Sequence, residues 1–309
     1  MRGHLHGLFD GTLNWLTENL EQFDLPQEED DRLAGNILID KRRKAFGELA
    51  LALLLLNRFR FTRRCPERGR ILDYVATRAQ EPYFAFDMIR RPNLFPLYLM
   101  VLLALEANGR ILPGFRKRLQ RVLDFGFIDA LERTPWNQID LRYYLDLAGL
   151  RHSMPNYASL YRLSSASRFP ALTHLRNIDV YALTHIIFHL ADFGRQDLRP
   201  ILAERFAETR DVIGWLLGLY VHRGNGDLVA ELLICCRCLE FAPATFHSAG
   251  WACLAALQTG EGDIPDCGFA LSNLPESAGA AARQRFLDNY HPTLVTLLAA
   301  ILELGRAET

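Results

Sequence analysis

The chain has 309 residues, half of them hydrophobic and 23% charged, with a formal net charge of −1. That length can bury a large core, while the near-zero charge leaves no overall basic field to attract nucleic acid. The apolar stretch Leu49 to Leu56 is too short to cross a bilayer, so neither a nucleic-acid nor a membrane partner is expected.

Apolar residues recur three and four apart almost throughout, and strand-like alternation is scarce, so the chain reads as all-α. Leu5, Leu8, Leu13 and Leu16 open an amphipathic helix that should end near Phe23 to Pro26. The acidic run Glu28 to Asp31 reads as a loop or a first turn. Helices are expected at Lys44 to Phe61, Arg70 to Ala79 and Tyr83 to Ile89, the last stopped by Arg91-Pro92. Asn93 to Ala107 follows, closed by Asn108-Gly109, then Pro113 to Phe127, Asp140 to Leu150 and Tyr157 to Leu163. The second half continues with Asp179 to Phe193, Leu198 to Glu208 and Val212 to Val221, and turns at Gly224-Asn225-Gly226. Leu228 to Phe241, Ala244 to Leu257, Ala278 to Leu287 and Pro292 to Leu304 complete it. The basic groups Lys41, Arg42, Arg43, Lys44 and Arg58, Arg60, Arg63, Arg64 read as solvated faces or helix ends.

This makes roughly fourteen helices with no linker between them, hence one helical domain over residues 1–309. Such helices must pair to bury their apolar stripes. Many are apolar on more than one face, as an inner layer would be. That favours an α/α-toroid-like arrangement or helical-repeat array over an irregular solenoid or a compact bundle.

The segment from Arg176 to Gly194 carries the most chemistry. Asn177 suits an N-cap, Asp179 a first turn and Gly194 a C-terminal stop. At about 100° per residue, His189 lies roughly 40° from His185, and Asp192 roughly 20° to its other side. Tyr181 falls near the same line. Tyr181, His185, His189 and Asp192 thus form one stripe. Two imidazoles four residues apart can ligate one metal, and a nearby carboxylate can add an oxygen. Asp192 would face the negative end of the helix dipole, which a metal, an arginine or a protonated histidine would compensate. Near the C-terminus, Pro292 suits the first position of a last helix, placing His291 at its N-cap, where neutral imidazole is favoured.

Six cysteines make no paired ladder, and no signal peptide is read before Asp10; reduced thiols and a cytoplasmic location are expected. Cys235 and Cys238 form a C-x-x-C without a second ligand pair, so packing is the expected role of Cys235, Cys236 and Cys238. Toroidal lanthionine cyclases hold zinc with two cysteines and a histidine. Cys238 or Cys253 with His247 would imitate that, but the cyclases' own motifs are absent. No Walker loop, dinucleotide fingerprint, nucleophile elbow or Asp-rich terpene-cyclase motif is present.

The motifs Tyr181-Ala-Leu-Thr-His185 through Asp192-Phe-Gly194 and Tyr290-His291-Pro-Thr293, with Gly47-Glu48-Leu49-Ala50-Leu51, resemble an uncharacterised bacterial all-helical family associated with natural-product biosynthesis gene neighbourhoods. The resemblance implies that His185, Asp192 and His291 belong to one site. The expected function is an enzyme of specialised metabolism with a polar His/Asp site in a helical cavity. Its catalytic residues would be His185, Asp192, His291 and Tyr181. Its metal ligands, if one first-row divalent metal is the cofactor, would be His185, His189, Asp192 and His291. In a metal-free version Asp192 orients His185 for acid–base work. Its partner would be a small molecule or a peptide substrate, with a partner protein also open. The rival is a non-catalytic helical scaffold that binds a biosynthetic partner protein or peptide.

Overall fold

The structure, a computed structural model, describes residues 2–25, 37–169, 171–268 and 277–308; the acidic run Glu28 to Asp31 lies outside them. Among the described residues there are thirteen α-helices of seven residues or more and no strand. They are α1 (Arg2–Glu18), α2 (Ile37–Arg58), α3 (Pro66–Ala79), α4 (Pro82–Arg90), α5 (Phe95–Ala107), α6 (Phe115–Asp124) and α7 (Pro135–Ala148). Then come α8 (Tyr157–Leu163), α9 (Asn177–Leu190), α10 (Phe206–Arg223), α11 (Gly226–Cys238), α12 (Ala244–Leu257) and α13 (Ala278–Leu304). Pro66, Pro82 and Pro135 open α3, α4 and α7, where a missing N–H costs nothing.

Several expected bounds shift: α2 spans Ile37–Arg58 rather than Lys44 to Phe61, and α7 begins at Pro135 rather than Asp140. Two others differ more deeply, for physical reasons. Leu198 to Glu208 is not one helix. A single turn, Arg199–Leu202, ends where Ala203 takes φ 48°, and α10 begins only at Phe206. Conversely, α13 runs unbroken through Pro292. A mid-helix proline costs about 3 kcal/mol or more. The upstream half of α13 offsets it by burial: Phe286 stacks on Trp15 at 5.8 Å and meets Phe23 edge-on at 4.8 Å, and Tyr290 is buried beside it.

The helices that carry the core close on one another. α2 packs on α5, α5 on α7, α7 on α9, α9 on α11, α11 on α13, and α13 back on α2. Their sequences explain this. Every residue from Tyr98 to Leu105 of α5 is buried, and so is every residue of α11 from Leu228 to Cys236. A helix apolar all round must be covered on several sides. Against this cycle pack α1 on α13, α3 on α2, α8 on α7, α10 on α11, and α12 on α10 and α11.

Most of the basic residues, Lys41, Lys44, Arg60, Arg63 and Arg64, are exposed as expected, and Arg58 ends α2; two of the eight turn inward. Arg43 is buried and holds Asp87 of α4 through Nε at 2.6 Å and a terminal nitrogen at 3.0 Å, while the Tyr98 hydroxyl donates to the same carboxylate at 2.6 Å. Arg58 is likewise turned inward onto Asp192. Arg43 and Arg58 thus supply charges to carboxylates inside the fold.

All six cysteines are free thiols, with Cys235, Cys236 and Cys238 buried and only Cys267 exposed. Burial pushes the Cys236 thiol up to about 12. A thiol titration of native protein without reductant is expected to label Cys267 first and leave those three unreacted; denaturation should then release six thiols. Any disulfide recovered would contradict this.

α2 and α5 approach closely at Gly47, where a Cβ would fall 2.9 Å from Cβ of Leu97. Gly47→Ala should therefore destabilise, because overpacking at about 1–3 kcal/mol exceeds the gain in helix propensity of about 1 kcal/mol. The check is a lower urea midpoint at unchanged m-value.

Candidate functional site

The closed cycle surrounds a cavity of about 770 Å³. Each of the six helices contributes to it: Lys44 and Glu48 from α2, Leu97 and Met100 from α5, Trp136, Asp140 and Tyr144 from α7, Tyr181 and His185 from α9, Asp227 from α11, and His291 from α13. Its lining combines apolar side chains, among them Leu97, Met100, Leu131 and Trp136, with polar ones, and it gathers carboxylates and imidazoles.

α9 starts at Asn177 with Arg176 as the capping residue, one position earlier than expected. The Asp179 carboxylate accepts the Arg176 backbone N–H at 2.9 Å, and Asn177 instead accepts the Tyr220 hydroxyl at 2.8 Å. Two turns on, His185 sits with its ring edge-on to Trp136 at 5.1 Å. Its Nδ1 donates to Asp140 Oδ2 at 3.3 Å, and its Nε2 faces Glu231 Oε1 at 3.8 Å. His291 repeats the pattern from α13. Its Nδ1 donates to Glu48 Oε2 at 3.1 Å, and its Nε2 faces Asp227 Oδ1 at 3.5 Å and Glu231 Oε1 at 3.8 Å. The far oxygens of the two α11 carboxylates are held: the Tyr181 hydroxyl donates to Asp227 Oδ2 at 2.6 Å, and the Thr184 hydroxyl donates to Glu231 Oε2. Asp227 and Glu231 stand one turn apart on the same face of α11.

Charge governs this cluster. Glu48, Asp140, Asp227 and Glu231 are largely removed from water, and Lys44, 3.5 Å from Glu48, is the lysine beside them. The imidazoles respond. Burial alone would lower His291, but Asp227 and Glu48 outweigh it and push it up to about 10. His185 is raised, because Asp140 and Glu231 outweigh its burial. Burial would raise Glu48, yet Lys44 and His291 hold it at about 2. Asp227 is raised by burial and by the charge of Glu231. The cavity thus demands positive charge, which protons on His185 and His291 or a bound cation can supply.

Of the residues read from sequence, His185, His291 and Tyr181 meet at this cavity. His189 stands behind it: its Nδ1 donates to the His185 carbonyl at 2.9 Å and touches Asp140 at 2.7 Å, and its Nε2 lies 3.2 Å from the Tyr144 hydroxyl. Asp192 is elsewhere. α9 ends at Leu190, and Asp192 and Phe193 take φ of 45° and 52° before Gly194 at 87°. The stripe needed two more helical residues, and this left-handed turn carries Asp192 out of it. Its carboxylate binds Arg58 at 2.7 Å and the Tyr143 hydroxyl at 2.6 Å, and Arg58 also reaches its carbonyl at 3.2 Å. These bonds offset the roughly 1–3 kcal/mol that a left-handed non-glycine residue costs. Nor is His291 an N-cap, since it lies inside α13; its neighbours Asn289 and Thr293 anchor the 258–268 loop, through Asp263 at 2.7 Å and the Ile264 N–H at 2.8 Å.

The sequence reading missed Glu48, Asp140, Asp227 and Glu231. A signal was present for two of them: Glu48 and Glu231 are single charges inside otherwise apolar helical runs, and an isolated charge in such a run needs a partner. Among the described residues, no group of side chains placed to bind a metal includes a cysteine.

Asp192→Asn is expected to cost about 2–3 kcal/mol, by leaving Arg58 without its buried counter-charge. Chemical denaturation measures the loss. The imidazole resonances of His185 and His291 should not shift, and a shift in them would tie Asp192 to the cavity after all.

A family described as a domain of unknown function, DUF6895, matches residues 9–301. No curated protein and no solved structure matches the chain.

Proposed function

We propose that this chain, which belongs to the DUF6895 family, is an enzyme that admits a small molecule into the central cavity and transforms it at the His185–His291 face. One observation carries the reading. Two imidazoles from different helices each have Nδ1 fixed by a buried carboxylate, and both turn Nε2 toward the same carboxylate, Glu231, at a cavity also lined by apolar side chains. Convergent polar groups of this kind in an otherwise apolar cavity are the mark of a reaction site. Here His185, His291 and Asp227 touch the reacting group, and Glu231, buried behind the cavity lining, faces both imidazoles. Asp140 and Glu48 are positioning residues that fix the imidazoles, and Tyr181 and Thr184 fix the carboxylates. Proton transfer at the Nε2 edges and Lewis-acid chemistry by a bound cation both suit this set.

The cavity volume accords with a drug-sized substrate, its apolar part against Leu97, Met100 and Trp136. The cyclic packing of six helices supports the toroid-like arrangement. Free thiols support a cytoplasmic setting, and the resemblance of the Tyr181–Gly194 and Tyr290–Thr293 motifs supports specialised metabolism. An outward-facing His185 and Asp192 would have supported the scaffold reading; His185 lines the cavity, while Asp192 lies away from it.

The test is turnover. Purified protein, with and without added divalent metal, is incubated with a small-molecule extract, and masses consumed and formed are followed. Wild type should convert at least one compound. Glu231→Gln should convert it about 100-fold more slowly or worse while keeping a native circular dichroism spectrum. Conversion unaffected by Glu231→Gln would move the chemistry away from this face, and none in any extract would favour the scaffold.

A further inference from the structure

We infer that the cluster is a mononuclear metal centre whose ligand atoms are His185 Nε2, Asp227 Oδ1, Glu231 Oε1 and His291 Nε2, and that it takes a first-row divalent cation. This deepens the enzyme reading of the same cavity and rests on it for what the cation does there. Whether the cation binds is a separate question.

Distance is the first ground. The three contacts from imidazole Nε2 to carboxylate, at 3.5, 3.8 and 3.8 Å, are too long for hydrogen bonds. They suit edges of a coordination polyhedron. Two ligands about 2.1 Å from a cation, separated by about 109–120°, sit about 3.4–3.6 Å apart. Ligand atoms of Asp227, Glu231 and His291 all lie within 4.8 Å of one another, and Glu231 Oε1 reaches on to His185.

The outer contacts are the second ground. Metal-bound histidines usually donate their other N–H to a carboxylate, which fixes the ring and the tautomer. Both imidazoles do so here, to Asp140 and to Glu48. Each α11 carboxylate has one oxygen held by a hydroxyl, which leaves one oxygen apiece for a cation. Asp227 Oδ1 is buried with no hydrogen-bond partner, the condition of a ligand atom awaiting its metal.

The second group of candidate ligands, Asp140, His185 and His189, does not pass the same comparison. Both nitrogens of His189 are engaged, by the His185 carbonyl and the Tyr144 hydroxyl. Asp140 Oδ1 also has no hydrogen-bond partner, but it lies 2.7 Å from His189 Nδ1, closer than the ~3.4–3.6 Å expected between two ligands of one cation. That group orients His185, and the cation sits on the far side of the ring. Two nitrogens and two carboxylate oxygens suit zinc, iron(II), manganese or cobalt(II); magnesium and calcium prefer oxygen alone, and copper(I) prefers sulfur. The cavity side of the centre is where water or substrate would complete the coordination shell.

The probe is cobalt(II). Full-length protein is stripped with a chelator and titrated, with absorption and melting temperature recorded. Wild type should bind one equivalent, gain visible d–d bands without a thiolate charge-transfer band, and melt higher. Asp227→Asn and His291→Gln should each weaken binding by about 100-fold or more. Asp140→Asn and Glu48→Gln should weaken it about 10- to 100-fold through the imidazoles they hold. His174→Asn, at an exposed histidine, should leave it unchanged. If a ligand variant fails to fold, X-ray absorption of the wild-type cobalt complex still decides, since it must show a shell of nitrogen and oxygen that includes imidazole. Absence of stoichiometric binding by wild type, or binding that survives both ligand variants, overturns the metal centre. Turnover by chelator-stripped protein overturns it while sparing the enzyme reading. A bound cation with no turnover spares the centre and sinks the enzyme reading.

Discussion

Taking a carboxylate out of water costs several kcal/mol unless a positive charge or several donors meet it. Four of them, Glu48, Asp140, Asp227 and Glu231, converge inside a ring of helices that otherwise buries apolar surface. Much else in the structure answers that demand. Lys44 stands beside Glu48, and His185 and His291 are drawn toward their charged forms. Tyr181 and Thr184 each spend a hydroxyl on a carboxylate oxygen. Asp227 lies in the first turn of α11, where the helix dipole favours a negative charge. That demand is what the proposed reaction site and metal centre would meet.

The ring makes this convergence possible. α7, α9 and α11 present their N-terminal halves to the cavity, and α2 and α13 are long enough to reach it from mid-helix. Side chains more than 240 residues apart in sequence, Glu48 and His291, are brought to 3.1 Å because α13 packs back on α2. The Arg43–Asp87–Tyr98 network holds α2, α4 and α5 in register at the same side of the ring. The Arg58–Asp192–Tyr143 network does the same where α2, α7 and the end of α9 meet. The first is a buried ion pair and the second a partly buried one, and both fix how helices sit, at positions where a purely apolar contact would allow sliding.

Periodicity by itself determined a good deal. The all-helical class, the bounds of α8 and α12, the burial of Cys235, Cys236 and Cys238, and the placing of Tyr181 and His185 on one helix face were legible, because each depends on residues near one another in the chain. The grouping of His291 with them came from the family resemblance and not from spacing. What only the tertiary structure decided depends on contacts between distant segments. α13 passes through Pro292 because Trp15 and Phe23, from the other end of the chain, cover its upstream half. Asp192 leaves the His185 stripe because Arg58 holds it in a left-handed turn that helical geometry from sequence does not foresee. Asp140, Asp227, Glu231 and Glu48 become site residues because six helices close into a cycle, and no spacing within any one helix encodes that closure.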